Sequence, residues 1–528
     1  MKKIFRSVLF LSVLAFVSCA DELDINDNPN TPVEITPGLA LASAEASLAT
    51  VVGGELTNLG GMYAQYQTQS PSASQYELMD SNNLNAAYSD RFWQELYAGC
   101  LNDLEFVLTN SGNTSDQLIA TSLKAYTFQL LVDLFGDVPY TEALQGGANI
   151  TPALTSGEDI YADLILKLDT AIAAYNANPE ESTVGTQDNV YGGDGDKWVQ
   201  FANTLKLRMY IRMAYTPQAN PAAVTALLAE NNFITQDASF SNFNETLDKT
   251  NPFYGVQLSN QGSGLGDVNN IASNSLLQFY IANGDQRQGL VYRPDARPIV
   301  NKIPQDGPLT YTSIAQGTGN NFNDTAKDYA KPNVYPRLPV FFITVAESNF
   351  LQAEALIRYA GGAGAKAKYD AGVIASFTTY AVNFFADDST LNDVYEKTDD
   401  DKIYGAIYTD VQGIAFANAF IAPGGNYEYV DAGSVEGNVR QVMIQKWAAL
   451  AFVNNIESYI ETTRTKYPEV VPVGTEDHSI GNRVPSEISV LSGTQMPTIL
   501  FYPQNEVNRN PNVQQRSSVI EKVWWDQK

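Results

Sequence analysis

Residues 119–140 read IATSLKAYTFQLLVDLFGDVPY. Ile119, Leu123, Tyr126, Leu130 and Leu134 recur at steps of three and four, which places them on one face of an α-helix. Gly136 and Pro139 then give stop signals, because glycine accepts the left-handed turn past a helix and proline cannot continue one. The same period returns at Tyr161, Leu164, Leu168, Ile172 and Tyr175, and again at Trp198, Phe201, Ala202 and Leu205. It recurs at Ala346, Phe350, Ala353 and Ile357, and at Ile444, Ala448, Phe452, Ile456 and Tyr459. Alanines beside these positions suit close helix packing. Alternating, strand-like patterns are scarce and short, so the chain reads as mainly α.

The spaces between stripes are long. Residues 177–197 and 250–340 are rich in Gly, Asn, Pro and Tyr, and loops of that length usually carry function. Helix pairs at loosely similar spacing suggest an array of helical hairpins, without an exact repeat. The expected division is one helical body over residues 37–528, with a loop-rich insertion at about 215–340.

Composition narrows the function. The chain has 528 residues, 44% of them hydrophobic and 17% charged, with a formal net charge of -27. Such a surface repels phosphate backbones and anionic lipid, so nucleic acid is not an expected partner. The two cysteines, Cys19 and Cys100, are too few for a disulfide scaffold. His478 is the single histidine, and no GxSxG occurs, which disfavours histidine-dependent zinc, serine and cysteine chemistry. A two-carboxylate glycosidase survives this count.

At the N-terminus, Lys2, Lys3 and Arg6 precede an apolar run from Val8 to Val17, too short to span a membrane. Ser18 and Cys19 follow, so residues 1–18 read as a lipoprotein signal peptide and Cys19 as the acylated first residue. An ordinary signal peptide with an incidental cysteine is the alternative. Residues 19–36, with Asp21, Glu22, Asp24 and Asp27, read as an acidic tether. The membrane would be met through the lipid anchor alone, and no apolar stretch after residue 18 is expected to reach the roughly 20 residues of a span.

Two acidic turns are candidates for a structural calcium: Asp194 with Asp196, and Asp324 with Asp328. Helix capping is the simpler role for the first pair, and no other cofactor is expected. Aromatic residues in polar surroundings are candidates for ligand contact: Tyr63, Tyr66, Tyr76, Phe253, Tyr254 and Tyr329. A sugar's apolar face stacks on such rings while neighbouring amides read its hydroxyls. Any one of them could instead be packed beneath its own loop.

Several segments together resemble the SusD/RagB family of Bacteroidetes outer-membrane lipoproteins, its SusD-like branch above all. They are CADELDINDNPN at 19–30, AYTFQLLVDLFGDVPYTEAL at 125–144 and GGDGDKWVQFANTLKLRMYIRMA at 192–214. AESNFLQAEALIR at 346–358, IQKWAALAFVNNIESYIETTRTKYP at 444–468, and MPTILFYPQNEVNRNPNV with the terminal KVWWDQK complete the set. The resemblance implies tetratricopeptide-like helical pairs forming a superhelical scaffold, with an irregular, loop-rich part packed on it. It implies a surface-facing, lipid-anchored protein of the outer membrane, with Asp21 and Glu22 as export signal. Such a protein binds oligosaccharides and delivers them, as a lid, to a TonB-dependent SusC-like transporter, and catalyses nothing. Neutral or amino-sugar glycans fit the acidic surface; a peptide ligand is the first alternative and a surface-anchored glycoside hydrolase the second. Arg208, Glu354, Glu457 and Arg464 fall inside expected helices and read as structural ion pairs.

Overall fold

A computed structural model describes residues 35–294, 299–300, 303–304, 310–318, 329–384 and 409–528. The expected leader, with Cys19, Asp21 and Glu22, lies outside these residues, as do Asp324 and Asp328. The chain is mainly α, as its periodicity requires. The principal helices are α1 (Pro37–Gly53), α2 (Glu55–Tyr63), α3 (Asn102–Asn110), α4 (Thr114–Phe135), α5 (Gly157–Ala177) and α6 (Gly195–Arg212). They continue with α7 (Val345–Tyr359), α8 (Ala365–Asn383), α9 (Val435–Ala449) and α10 (Asn455–Thr465).

Local chemistry sets the boundaries. Asn113 caps α4 by accepting from the Ser115 and Asp116 amides, and Gly136 closes it at φ 70°. Ser156, Asp194, Thr344, Ser434 and Asn454 cap α5, α6, α7, α9 and α10 in the same way. Consecutive helices pack as pairs: α3 on α4, α4 on α5, α5 on α6, and α7 on α8, with α9 lying against α7 and α10. This is the tetratricopeptide-like, hairpin-on-hairpin scaffold anticipated from the sequence.

The strands are short and join distant parts of the chain. Gln67–Gln69 pairs antiparallel with Asn270–Ala272, and Val340–Ile343 pairs with Ala238–Phe240 around a bulge. Gly60 lets α2 meet the start of α10, since a Cβ there would sit 2.4 Å from the Asn455 backbone carbon. One expectation needs correcting. Helix α4 is long and apolar enough, by composition, to cross a membrane, as is the stretch Pro37–Tyr63. In α4, however, 89% of that apolar window is packed inside the protein, which makes it a central core helix.

Where the scaffold helices meet, charge is buried. Arg208 donates from Nε and Nη2 to the two Glu347 oxygens at 2.8 and 2.9 Å. Arg212 contacts Asp133 at 3.2 Å and Glu457 at 2.7 Å, and also Glu461. Arg464 forks onto Glu354 at 2.9 and 2.7 Å and reaches Glu461 at 2.7 Å. Lys446 sits 3.3 Å from both Glu457 and Glu461, and Arg358 holds Glu354 at 2.7 Å. Burial alone would raise the Glu461 carboxyl, but Arg464, Lys446 and Arg212 outweigh it and hold it well below the ordinary range. The four residues read as structural ion pairs are all members of this network.

The 178–194 loop turns out to be architectural. Asp188 accepts from the Val190, Tyr191 and Gly193 amides and from the Trp198 indole at 2.7 Å. Asp116 similarly gathers Ser182 and Thr183. Beside Asp188 lies Glu45, fully buried, with Asn189 donating to its Oε2 at 2.8 and 2.9 Å. Burial first, and then the Asp188 charge, raise the Glu45 carboxyl well above the ordinary carboxylate value.

Two predictions follow from these charges. Replacing Arg464 by Met removes the fork on Glu354 and one partner of Glu461, leaves the buried network one positive charge short, and should cost about 3–5 kcal/mol in urea unfolding. Lys366→Met, which removes an exposed partner of Asp370, should cost less than about 1 kcal/mol. Equal effects would contradict the network's role. For Glu45 the folded state favours the protonated form. Its contribution is therefore present below the unfolded value of 4.5 and is lost as pH rises through the folded one. Glu45→Gln, neutral at every pH, should match the parent in acid and become progressively more stable than it as pH rises; a pH-independent difference would be wrong for this account.

Candidate functional site

The joint between α1 and α2 opens onto a cleft of about 1120 Å³. Thr50 and Val51 from the end of α1, with Glu55 and Asn58 from the start of α2, line one side of it. Gly53 allows the joint to rest on the Val340 strand, where a Cβ would approach Val340 Cγ2 to 2.2 Å. Tyr76, Tyr88, Arg91, Phe92 and Glu95 line a second side. The third is the segment from Phe240 to Ser263, carrying Asn242, Phe243, Tyr254 and Gln257.

Two local devices hold the third side. Asn251 donates to the Leu338 carbonyl at 2.9 Å and accepts from the Tyr254 amide at 3.1 Å, which starts a π-helical turn over Tyr254–Leu258. A second π-helical segment, Glu95–Leu101, begins at the opposite side. Such turns widen the helix by one residue and are frequent at functional sites. The loop beyond folds back on itself, with the Leu265, Gly266 and Asp267 amides donating to the Val256, Ser259 and Gln257 carbonyls. Gly264 is needed there, because a Cβ would meet the Ser259 carbonyl oxygen at 2.2 Å.

Across the cleft, the Tyr76 hydroxyl donates to Gln257 Oε1 at 2.8 Å, and the same oxygen accepts from Asn270 at 3.0 Å. Tyr76 is half-buried, as are Tyr88, Phe243 and Tyr254. Burial raises the Tyr76 and Tyr254 phenols above their ordinary value. Burial also raises the Glu55 carboxyl, with Arg91 opposing. The cleft thus offers half-buried aromatic side chains together with two exposed amides, Asn242 and Gln261.

The structure brings three of the six sequence candidates to this cleft, namely Tyr76, Phe253 and Tyr254. Phe253 is 1% exposed and acts as packing under Tyr254, with its ring 5.9 Å from that of Phe452. Tyr63 and Tyr66 are corrected: they are 2% and 0% exposed and belong to the core. Tyr63 packs 5.2 Å from Tyr459, and the Tyr66 hydroxyl bonds the Trp447 carbonyl and Ser458. The close approach at Gly60 draws this segment inside. Tyr329 is half-buried and does not line the cleft. Tyr88 and Phe243 were missed, although NAAYSD and FSNFNE present the same aromatic-among-polar pattern.

Asp194 caps α6 by accepting from the Lys197 amide at 3.2 Å, and Asp196 accepts from the Tyr175 hydroxyl at 3.0 Å. Among the described residues no three His, Cys, Asp or Glu side chains are grouped to hold a metal ion. Cys100 is buried beside Thr127, and burial pushes its thiol up to about 12.

Comparison with known proteins places this architecture. Residues 29–489 match the model of a SusD-like family described as starch-binding and associating with the outer membrane. A SusD/RagB family protein from Bacteroides thetaiotaomicron superposes with a TM-score of 0.72 at 20% identity, covering 93% of this chain and 99% of its own. A SusD homologue from Bacteroides uniformis gives 0.69 at 22% identity, covering 93% and 99%. A chitin-binding protein gives 0.69 at 22% identity, covering 93% and 100%. No curated protein sequence matches the chain. The chain belongs to the SusD-like family, whose members are nutrient-binding proteins associated with the outer membrane.

Core and cleft tyrosines should separate experimentally. Tyr66→Phe leaves the Trp447 carbonyl and Ser458 without their partner and should lower stability by about 1–3 kcal/mol in denaturant unfolding. Tyr254→Phe should lower it by less than about 0.5 kcal/mol. The reverse order would mean that the assignment of core and cleft is wrong.

Proposed function

We propose that this SusD-like protein captures oligosaccharides outside the cell and delivers them, as a lid, to a TonB-dependent SusC-like transporter. In this reading lipid on Cys19 holds it to the outer membrane, Asp21 and Glu22 direct it to the outer face, and it carries out no chemistry on its ligand. The observation that carries the reading is the cleft, lined by half-buried Tyr76, Tyr88, Phe243 and Tyr254 together with exposed Asn242 and Gln261. Sugar rings present flat apolar faces and a fringe of hydroxyls, and that combination of partners matches both. A volume of about 1120 Å³ has room for several sugar units.

Net charge supports neutral or amino-sugar chains over acidic ones, since the protein carries -27. Similarity to a chitin-binding protein points the same way. The affinity should be moderate, because a captured chain has to be released to the transporter. A peptide ligand would depend more on backbone pairing than on open ring faces.

Calorimetric titration of the purified full chain against neutral, acidic and amino-sugar oligomers and against peptide pools tests the proposal. Binding of a neutral or amino-sugar oligomer is expected, with no release of reducing ends over the experiment. Tyr254→Ala or Phe243→Ala should each weaken it by roughly tenfold, a loss of about 1.4 kcal/mol. Binding of peptides alone, or steady sugar release, would overturn the reading.

A further inference from the structure

Within the cleft, one carboxylate is set apart from the others. Glu55 Oε2 is shielded from solvent and has no hydrogen-bond partner among the described residues. The cation beside it, Arg91, approaches only to 3.8 Å through Nε, and its side chain is 82% exposed. Arg91 therefore leans toward the carboxylate from solvent without satisfying it. A pair so open contributes little and is readily displaced.

Tyr76 and Tyr88 line the same cleft as Glu55. The Tyr88 hydroxyl donates to the Glu55 backbone carbonyl at 3.3 Å, and Tyr76 is pinned by Gln257 across the cleft. Burial and then the Glu55 charge raise the Tyr88 phenol; at Tyr76 burial outweighs the opposing Gln257 bond, and the Glu55 charge adds to it. The cleft carries an excess of acidic groups: Glu55, Glu95, Glu245 and Asp248 line it with Arg91 and Lys249, and Arg337 holds Glu245 at 3.0 Å. A walled cleft with an anionic excess concentrates cations.

We propose that Glu55, with Tyr76 and Tyr88, forms a cation subsite that takes the protonated amine of a glycan bearing free amino sugars. The inference rests on the glycan reading above and sharpens its ligand class. An ammonium supplies three N–H donors and a full charge. It can take the place of Arg91 at Glu55 Oε1, the oxygen that Arg91 approaches from solvent, with the Tyr76 and Tyr88 side chains lining the same cleft. An N-acetylated sugar offers only one neutral amide donor, and an unsubstituted sugar offers hydroxyls alone. The subsite therefore ranks free amine above acetamide above hydroxyl. Arg91 competes for the same carboxylate, so its removal should tighten binding rather than weaken it.

Titration of the full chain with length-matched oligomers of glucosamine, N-acetylglucosamine and glucose reads this directly. Glucosamine oligomers should bind about tenfold more tightly than the N-acetylated ones at low salt. The advantage should shrink as salt is raised. Glu55→Gln should abolish it, so that glucosamine and N-acetylglucosamine oligomers bind alike. Arg91→Ala, a change at an exposed side chain, should strengthen glucosamine binding severalfold. Equal binding of all three oligomers, or an amine preference that survives Glu55→Gln, would overturn the subsite yet leave glycan capture standing. Failure of every glycan to bind would overturn the glycan reading itself. Glu55-dependent binding of lysine peptides in that case would assign the cation to a peptide and overturn the amino-sugar class proposed here.

Discussion

Five buried cations and five buried carboxylates tie the scaffold together, and the rest of the fold is arranged so that all ten can meet. Asp133 comes from α4, Arg208 and Arg212 from α6, Glu347, Glu354 and Arg358 from α7, Lys446 from α9, and Glu457, Glu461 and Arg464 from α10. Taking an ion out of water costs several kcal/mol even after relaxation, so each group tolerates its position only while its partners are in place. A shift of one helix by one turn would leave charges stranded on two or three others. Hydrophobic contacts between the same helices would tolerate such a slip far better. The network is thus a constraint on register more than a source of stability.

This constraint gives the chain's most recognisable segments a structural role. The helix before FGDVPY supplies Asp133, LKLRMYIR supplies the two α6 arginines, and AESNFLQAEALIR supplies three members. IQKW supplies Lys446, and NNIESYIETTR supplies the last three. The terminal WWD joins them, since the Trp525 indole donates to Asp133 at 2.8 Å and Asp526 takes Lys466 at 2.7 Å. Arg212 also lies over the Trp525 ring at 5.6 Å. Each motif delivers charge to one place that the sequence keeps scattered over nearly four hundred positions.

Helices were legible in the sequence because a buried face imposes a period on it. The stripes through Ile119 to Leu134 and Ala346 to Ile357 are buried as their spacing requires. The site was legible only in part, and the reason lies in MYAQYQTQS. Its polar neighbours suggested exposure, yet Gln65, Gln67, Thr68, Gln69 and Ser70 are themselves buried. They are bonded internally: Gln65 to Ser275 and Val484, Gln67 through Nε2 to Asn58, and Thr68 to Asp80. A polar strand buried in this way looks from sequence like a surface loop, and its tyrosines are misplaced with it. Tyr76 and Tyr254 sit in similar surroundings but are half-buried and line the cleft. Only the fold distinguishes the two cases.

The cleft stands at the edge of what the ion network fixes. Its lining comes from a helix joint, two π-helical turns and the 240–263 segment, none of which contributes a charge to the network. Substitutions there leave every buried charge paired, whereas changes among the network helices do not. Under the oligosaccharide reading proposed above, specificity falls to loop residues such as Tyr254 and to Glu55 at the start of α2, where a side chain can change without disturbing how the helices are held.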